Sequence, residues 1–431
     1  MSVLHAPRGT QDTLPGPARA WRHLEETAHR LMARYGYGEI RTPLFEATEL
    51  FARGVGEATD IVQKEMYTFL DKKGRSLTLR PEGTASVARA LIEHRLDAGG
   101  LPLRLYYLGP MFRYERPQRG RLRQFHQLGA ELVGSDAPEA DVETVLLFRD
   151  YLDDLGITGV HVLLNGLGGP ECRESYREAL VEYFSARRGE LDEDSAGRLS
   201  QNPLRILDSK NPAMEEVIRE APPITRSWTD ADRAHMDRVQ GLLDGLGVPF
   251  RLDPRLVRGL DYYTRTVYEV HHPDLGAQSA LGGGGRYDEL IRSFGGPSLP
   301  AVGFSVGLER IVDVLTTRGL LPGEGPSTEV FVAAADDAGR GRAFALTSEL
   351  RRTLSAETSW DGASLKTQLK RAHKAGARWA VILGERELAQ GVATVRDMAG
   401  GEEAAVPIEG IAAWVSTRGA SRDRITGGSE T

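Results

Sequence analysis

The 431-residue chain contains a single cysteine, Cys172, which excludes an intrachain disulfide and any multi-cysteine zinc site and fits a reducing cytosol. No apolar run approaches membrane-spanning length, and the N-terminus lacks a signal-peptide core. A soluble, cytoplasmic protein with no membrane partner is therefore expected. No GxxxxGK followed by Ser or Thr occurs, and no GxGxxG follows a strand pattern, so neither a P-loop nor a Rossmann site can hold a nucleotide. Positive charge is not in excess: 54 Lys and Arg face 61 Asp and Glu, for a net charge of −7. Any RNA contact must come from local basic patches. Internal repeats and long low-complexity segments are also missing, and the length exceeds that of a usual single domain.

Polar chemistry concentrates in a few segments. In RGLDYYTRTVYEV (residues 258–270) the even positions from Tyr262 are uncharged while the odd ones include Arg265 and Glu269, so the two faces of a strand would differ. Tyr262 and Tyr263 beside Arg258 and Asp261 offer phenols, a fixed positive charge and a carboxylate to one small polar ligand. An ordinary amphipathic strand with a charged end would look the same. In residues 104–134, two apolar runs flank a loop in which Arg113, Arg116, Arg119, Arg121 and Arg123 have Glu115 as their one nearby acid. Arginine forks bind phosphate bidentately and cannot be neutralised, which suits a nucleotide or a nucleic-acid backbone. On the returning strand, Phe125, Gln127 and Glu131 fall on alternate positions, so period two aims a ring, an amide and a carboxylate at one face. A carboxylate buried there needs a cation or donors.

LTLRPEGTASVARALI (residues 77–92) runs from a strand into an Ala-rich helical stretch, with Glu82 and Thr84 at the junction. Glu82 could receive an ammonium group, or simply mark a helix start, where acids are favoured. In PAVGFSVGLERIVDVL (residues 300–315) Arg310 lies in the first turns of a helix, a place the macrodipole disfavours for a cation, so it answers a negative ligand or partner. The glycine run 282–285 lacks a following Lys-Ser or Lys-Thr and reads as close backbone approach beside Arg286.

Together these segments resemble the histidyl-tRNA synthetases, members of the class II aminoacyl-tRNA synthetases. RYGYGEIRTPLFE, with Pro43, is similar to class motif 1, FRYERPQRGRLRQFHQ to motif 2 and GFSVGLERI to motif 3. RGLDYYTRTVYE and GGGGRYDEL are similar to the two signatures peculiar to the histidine enzyme, and RGTQDTLP near the N-terminus also matches. Thr264, Tyr268, Glu289 and Ala130 depart from the commoner Asn, Phe, Gly and Cys, without removing a charge or hydrogen-bonding group from the residues assigned below.

The resemblance implies an α+β chain: a class II antiparallel sheet with flanking helices, a helical insertion, and a C-terminal α/β anticodon-binding domain. It implies that histidine's carboxylate attacks the α-phosphate of ATP, with Mg²⁺ on the outer phosphates and no dedicated protein cage for the metal, and that histidine then passes to the 3′ end of tRNA(His). Arg113 and Arg258 would grip the α-phosphate as the catalytic pair. Phe125 and Arg310 would sandwich the adenine, and Glu115 would contact the nucleotide. Glu82, Gly83, Thr84 and Gln127 would hold the amino acid's charged ends, while Glu131 and Tyr263 would read the imidazole nitrogens and Tyr262 would line the pocket. A pocket bonded to both ring nitrogens rejects wrong amino acids on the order of 10⁴-fold, so no editing domain is expected. Arg116 and Gln118 are candidates for reading the tRNA acceptor end, or a solvated loop tip.

Residues 17–35 read as an amphipathic helix with Trp21, Leu24, Ala28, Leu31 and Tyr35 on one face; the resemblance places a homodimer interface around motif 1. The catalytic domain is expected over 1–320 with an insertion at about 166–250, followed by a Pro/Gly/Ser-rich linker at 321–328. Strand and helix patterns then alternate over 329–420 as in a small α/β domain, and 421–431 reads as a flexible tail. There Lys366, Lys370, Lys374 and Arg378 recur every fourth residue with no acid between Gly362 and Gly384, a pattern that fits either a solvated face or RNA contact. The resemblance makes this the anticodon-binding region. Two other readings are a regulatory paralogue, such as the ATP phosphoribosyltransferase subunit that keeps the histidine pocket without aminoacylation, and a prolyl- or threonyl-type class II ligase. The anticodon-type domain and the arginines argue against the first, the segments around Arg258 and Arg286 against the second.

Overall fold

The apolar runs on either side of the arginine loop pair as long antiparallel strands, Leu103–Phe112 and Gln124–Val133. In the computed structural model, which describes residues 4–426 apart from 58, 119, 208, 210, 279 and 322–327, they belong to an eight-stranded sheet. From edge to edge its order is Gly38–Glu39, Leu103–Phe112, Gln124–Val133, Ala301–Gly307, Ala280–Arg286, Thr264–His271, His161–Gly166 and Phe250–Leu252. The outermost pairing at each edge is parallel, and those between are antiparallel. The sheet belongs to the first of two units, Met1–Leu321 and Pro322–Thr431.

One face of this sheet carries the main core. The helix expected over 17–35 runs Ala18–Arg34, with Leu24, Ala28 and Leu31 fully buried and Trp21 packed alongside. It shares that core with the helices Pro138–Asp154, Asp230–Gly245 and Leu308–Arg318 through Phe148, Leu152, Val239, Leu243, Ile311 and Leu315. Phe148 stacks on Phe304 of the sheet with ring centroids 5.0 Å apart. Each such side chain contributes roughly 1.5–3 kcal/mol on burial, and together they fix the sheet against which the site is built.

Arg286 ends the Ala280–Arg286 strand and is fully buried. It pairs with the equally buried Asp141 at the start of the Pro138–Asp154 helix and donates to the carbonyls of Ser135 at 2.8 Å and Ala137 at 3.2 Å. This arginine is therefore a clamp between helix and sheet. The glycine run beside it serves close packing: a Cβ at Gly283 would overlap the Tyr268 carbonyl and come within 3.1 Å of the Arg258 Nη1.

Between the His161–Gly166 and Phe250–Leu252 strands the chain is helical. Tyr176, Leu180, Phe184, Ile206, Met214 and Val217 form a separate core there that reaches the sheet at Leu163 and Val267. The last of these helices, Asp230–Gly245, instead packs on Pro138–Asp154 in the main core, so only the earlier part of the 166–250 segment stands apart.

The second unit is a five-stranded sheet in the order Ala356–Thr358, Val330–Ala334, Trp379–Leu383, Val392–Asp397 and Glu403–Pro407. Its first pairings are parallel and its last antiparallel. Helices cover both faces; Leu365–Lys374 lies on the face of Phe331, Ala333 and Ile382. Most of the expected linker, 322–327, lies outside the described residues. The terminal helix Ile411–Thr426 continues past Ala420 into the stretch read as a tail; that stretch is free of Pro up to Thr426, so nothing in it breaks the helix. Residues 427–431 lie outside the described residues.

Candidate active site

The sheet face opposite the main core opens into a cleft of about 490 Å³. Its floor comes from strand alternation: Phe125, Gln127 and Glu131 share one face, with Gln127 opposite Gly109 and Gly307, and Glu131 opposite Leu105 and Gly303. Gly303 is required there, because a Cβ on it would overlap Glu131's Oε2.

Glu131 is almost fully buried, and its two oxygens accept from different elements. Thr84 Oγ1 donates to Oε1 at 2.7 Å, and the Tyr287 hydroxyl donates to Oε2. Burial pushes its carboxyl up to about 8, with the Tyr287 and Thr84 bonds pulling the other way. Glu82, also buried, accepts from the backbone N–H groups of Thr84 at 2.7 Å and Ala85 at 2.9 Å. It thereby caps the Thr84–His94 helix, so the helix-start reading of this acid is realised in the fold. Tyr262 and Tyr263 sit with ring centroids 4.7 Å apart, and Tyr262 lies 5.5 Å from Tyr287. Burial raises both phenols above their ordinary range, so they are neutral donors.

The other end of the cleft is cationic. Arg113 donates to the Pro81 carbonyl at 2.9 Å and lies over the Phe125 ring at 5.4 Å. Glu115 serves both Arg113 at 3.9 Å and Arg121 at 3.2 Å. Arg310 donates to the Ala280 carbonyl; burial, then the charge of Arg121, holds its pKa below the usual guanidinium value. Arg258 pairs with Glu269, whose second oxygen meets His271 Nε2 at 2.9 Å. Burial would raise Glu269, but the Arg258 charge and the His271 bond outweigh it and hold the carboxyl low. Two buried polar atoms on this wall, Gln127 Oε1 and Arg258 Nε, have no hydrogen-bond partner. Such atoms are costly unless a ligand completes them.

The cleft thus brings Glu82, Thr84, Arg113, Glu115, Phe125, Gln127, Arg258, Tyr262, Tyr263 and Arg310 onto one wall system. Gly83 lies behind it, packed so tightly that a Cβ would overlap the Tyr107 ring, and Glu131 lies beneath through Thr84 and Tyr287. Arg116 and Gln118 are exposed on the loop and outside the cleft lining, while Arg119 lies outside the described residues. Lys366, Lys370 and Lys374 are exposed along the Leu365–Lys374 helix of the second unit. Sequence reasoning assigned no role to Tyr287, Glu269 or His271, and read Arg121 only as one of the loop arginines; the fold brings all four to this cleft or to Glu131. Tyr287 does follow the glycine run that the motif GGGGRYDEL marks.

A family model described as Histidyl-tRNA synthetase matches residues 9–311. The chain belongs to the histidyl-tRNA synthetase family. A second model, Anticodon binding domain, matches residues 329–418. The histidine–tRNA ligase of Halothermothrix orenii is 49% identical over 399 residues, 92% of this chain and 95% of that protein. That of Desulforudis audaxviator is 50% identical over 410 residues, 94% of this chain and 97% of the relative. The crystal structure of apo S. aureus histidyl-tRNA synthetase aligns with a TM-score of 0.83 at 35% identity, covering 96% of this chain and all of that one. As a histidyl-tRNA synthetase, the chain is a ligase that activates histidine with ATP and transfers it to tRNA(His). Its architecture is the α+β catalytic domain plus anticodon-binding domain of that family. The prolyl- and threonyl-type alternatives and the purely regulatory one give way to this assignment. Among the described residues no helix is long and apolar enough to cross a membrane, and no group of three or more His, Cys, Asp or Glu is placed to hold a metal ion.

Proposed function

We propose that the cleft divides its work between its two ends, with histidine at the Glu131 end and ATP at the arginine end. Glu131 and Tyr263 pair with the two imidazole nitrogens, and Tyr262 closes the pocket beside Tyr287. Glu82, Gly83, Thr84 and Gln127 take the α-ammonium and carboxylate; Gln127 Oε1 has an unused acceptor for this. Arg113 and Arg258 hold the α-phosphate, Phe125 and Arg310 stack the adenine, and Glu115 contacts the nucleotide.

In the first step a carboxylate oxygen of histidine bonds to the α-phosphorus as the bond to pyrophosphate breaks, giving histidyl-adenylate. In the second, a ribose hydroxyl at the tRNA 3′ end takes the histidyl carbonyl and AMP leaves. Both reactants of the first step are anions, so charge neutralisation and alignment dominate. Arg258 keeps its buried Nε for this task while Glu269 fixes its far end. Mg²⁺ enters with ATP on the outer phosphates, since the acids Glu115 and Glu269 are occupied by arginines.

The enzyme works as a cytoplasmic homodimer. The small sheet of Phe45–Ala47, Ser76–Leu79 and Tyr67–Leu70 supports the dimer, because Leu44, Phe45, Phe69 and Leu70 leave apolar surface exposed beside the motif 1 segment. Lys366, Lys370 and Lys374 contact tRNA, and Arg116 and Gln118 reach its acceptor end.

The observation that carries this reading is a buried carboxyl group, held by two hydroxyls directly beneath the cleft, together with the cluster of arginines that lines it. ATP–pyrophosphate exchange with each of the twenty amino acids, then charging of total tRNA, tests it. Exchange stimulated by histidine alone, with charging, is expected; exchange with another amino acid overturns the pocket assignment.

A further inference from the structure

In the anticodon-binding unit Trp360 is 73% exposed, on the connection between the Ala356–Thr358 strand and the Leu365–Lys374 helix. A lone exposed aromatic is ordinary, but the residues on either side of this one are fastened. Arg371, on the helix, donates to Ser359 Oγ at 2.6 Å and to both oxygens of Asp361 at 2.7 Å. Ser359 Oγ in turn lies 2.8 Å from Asp361. Both chain neighbours of Trp360 are therefore fastened to one guanidinium.

The helix is itself anchored to the sheet. The Gln368 amide donates to the carbonyls of Ala334 at 2.9 Å and Ala363 at 2.7 Å and accepts from the Ala334 N–H at 3.0 Å. The same helix exposes Lys366, Lys370 and Lys374, and the nearest acid in the preceding connection, Asp361, is engaged by Arg371. The chain on either side of Trp360 is thus held on the connection that leads into a helix with a row of exposed cations.

We propose that Trp360 is a stacking platform for an unpaired base in a loop of the tRNA whose phosphates lie along Lys366, Lys370 and Lys374. The inference rests on reading those lysines as a tRNA-contact face. Aromatic stacking suits any base, because every base has a π-face, and lysines beside it supply the attraction to the backbone. Holding the chain at Trp360 before binding lowers the ordering cost of the complex.

The two contributions separate by salt. Binding of full-length tRNA(His) to the intact chain is measured across a range of KCl for wild type, Trp360→Ala, Trp360→Phe and the Lys366, Lys370, Lys374 triple alanine variant. Trp360→Ala is expected to weaken binding on the order of ten-fold or more at every salt concentration, without changing the slope. Trp360→Phe should keep most of the affinity, and histidine-dependent ATP–pyrophosphate exchange should be unchanged in both. Wild-type affinity in Trp360→Ala, or a Phe variant as weak as the Ala variant, overturns the stacking role. A flattened slope in Trp360→Ala also overturns it, since the indole would then act only by positioning the lysines. If the triple variant retains the wild-type affinity and slope, the underlying lysine reading fails as well, which distinguishes that failure from loss of the platform alone.

Discussion

Arg258 and Glu269 form an ion pair in the wall of the cleft, and the second carboxylate oxygen meets His271. The guanidinium is thus oriented before substrates arrive, with its buried Nε left without a partner. Arg258→Ala should cut histidine-dependent ATP–pyrophosphate exchange by on the order of 10²–10³-fold or more, while histidine binding by calorimetry stays detectable. Exchange at the wild-type rate would remove Arg258 from the catalytic pair.

Glu131 links the cleft to pH. Its carboxyl is raised by burial from an ordinary 4.5 to about 8. Below about pH 4.5 folded and unfolded chains are both protonated at this site and it has no effect on stability. As pH rises from there to about 8, the unfolded chain has released the proton and the folded one has not, so stability falls by at most about 1.4 kcal/mol per pH unit. Above that the penalty is constant. Glu131→Gln removes this slope, so urea unfolding from pH 5 to 9 should show wild type losing stability relative to the variant; parallel curves would contradict the buried, raised carboxyl.

Tyr287 donates to one oxygen of that carboxylate. Tyr287→Phe leaves a buried acceptor short of one donor and should raise the KM for histidine about ten-fold, with the KM for ATP little changed. Exchange kinetics with each substrate varied in turn would decide it, and equal shifts in both constants would point to general loss of fold.

Replacing Lys366, Lys370 and Lys374 by alanine should weaken tRNA(His) binding and reduce the steepness of its dependence on salt, because fewer phosphates are then neutralised and fewer counterions set free. Adenylate formation should be unaffected. Filter binding across a salt series, beside exchange assays, measures both.

Phe125, Gln127 and Glu131 are legible from period two because their strand pairs regularly with both neighbours. The Arg258 segment is less so. The pairing slips between Gly285 and Arg286, Arg265 adopts a left-handed φ of 44°, and the strand begins at Thr264, so Tyr262 and Tyr263 reach the cleft from the turn before it. Arg310 is marked by its unfavourable place at a helix start, where it donates to the Ala280 carbonyl. Tyr287 and Glu269 escape a sequence reading for a different reason. Their partners, Glu131 and Arg258, become neighbours only through strand pairing or a returning turn, and nothing in their own composition distinguishes them from ordinary core and strand residues.

The backbone at Gly303 sets a limit on redesign. Since any side chain there would collide with Glu131, the pocket cannot be recut at that glycine without displacing the buried carboxyl group beneath the cleft. Space for a larger amino acid can be opened instead from the tyrosine side, at Tyr262 or Tyr263, whose side chains line the cleft. An effort to retarget the enzyme to a noncanonical amino acid would begin with libraries at those two positions and leave the glycine alone.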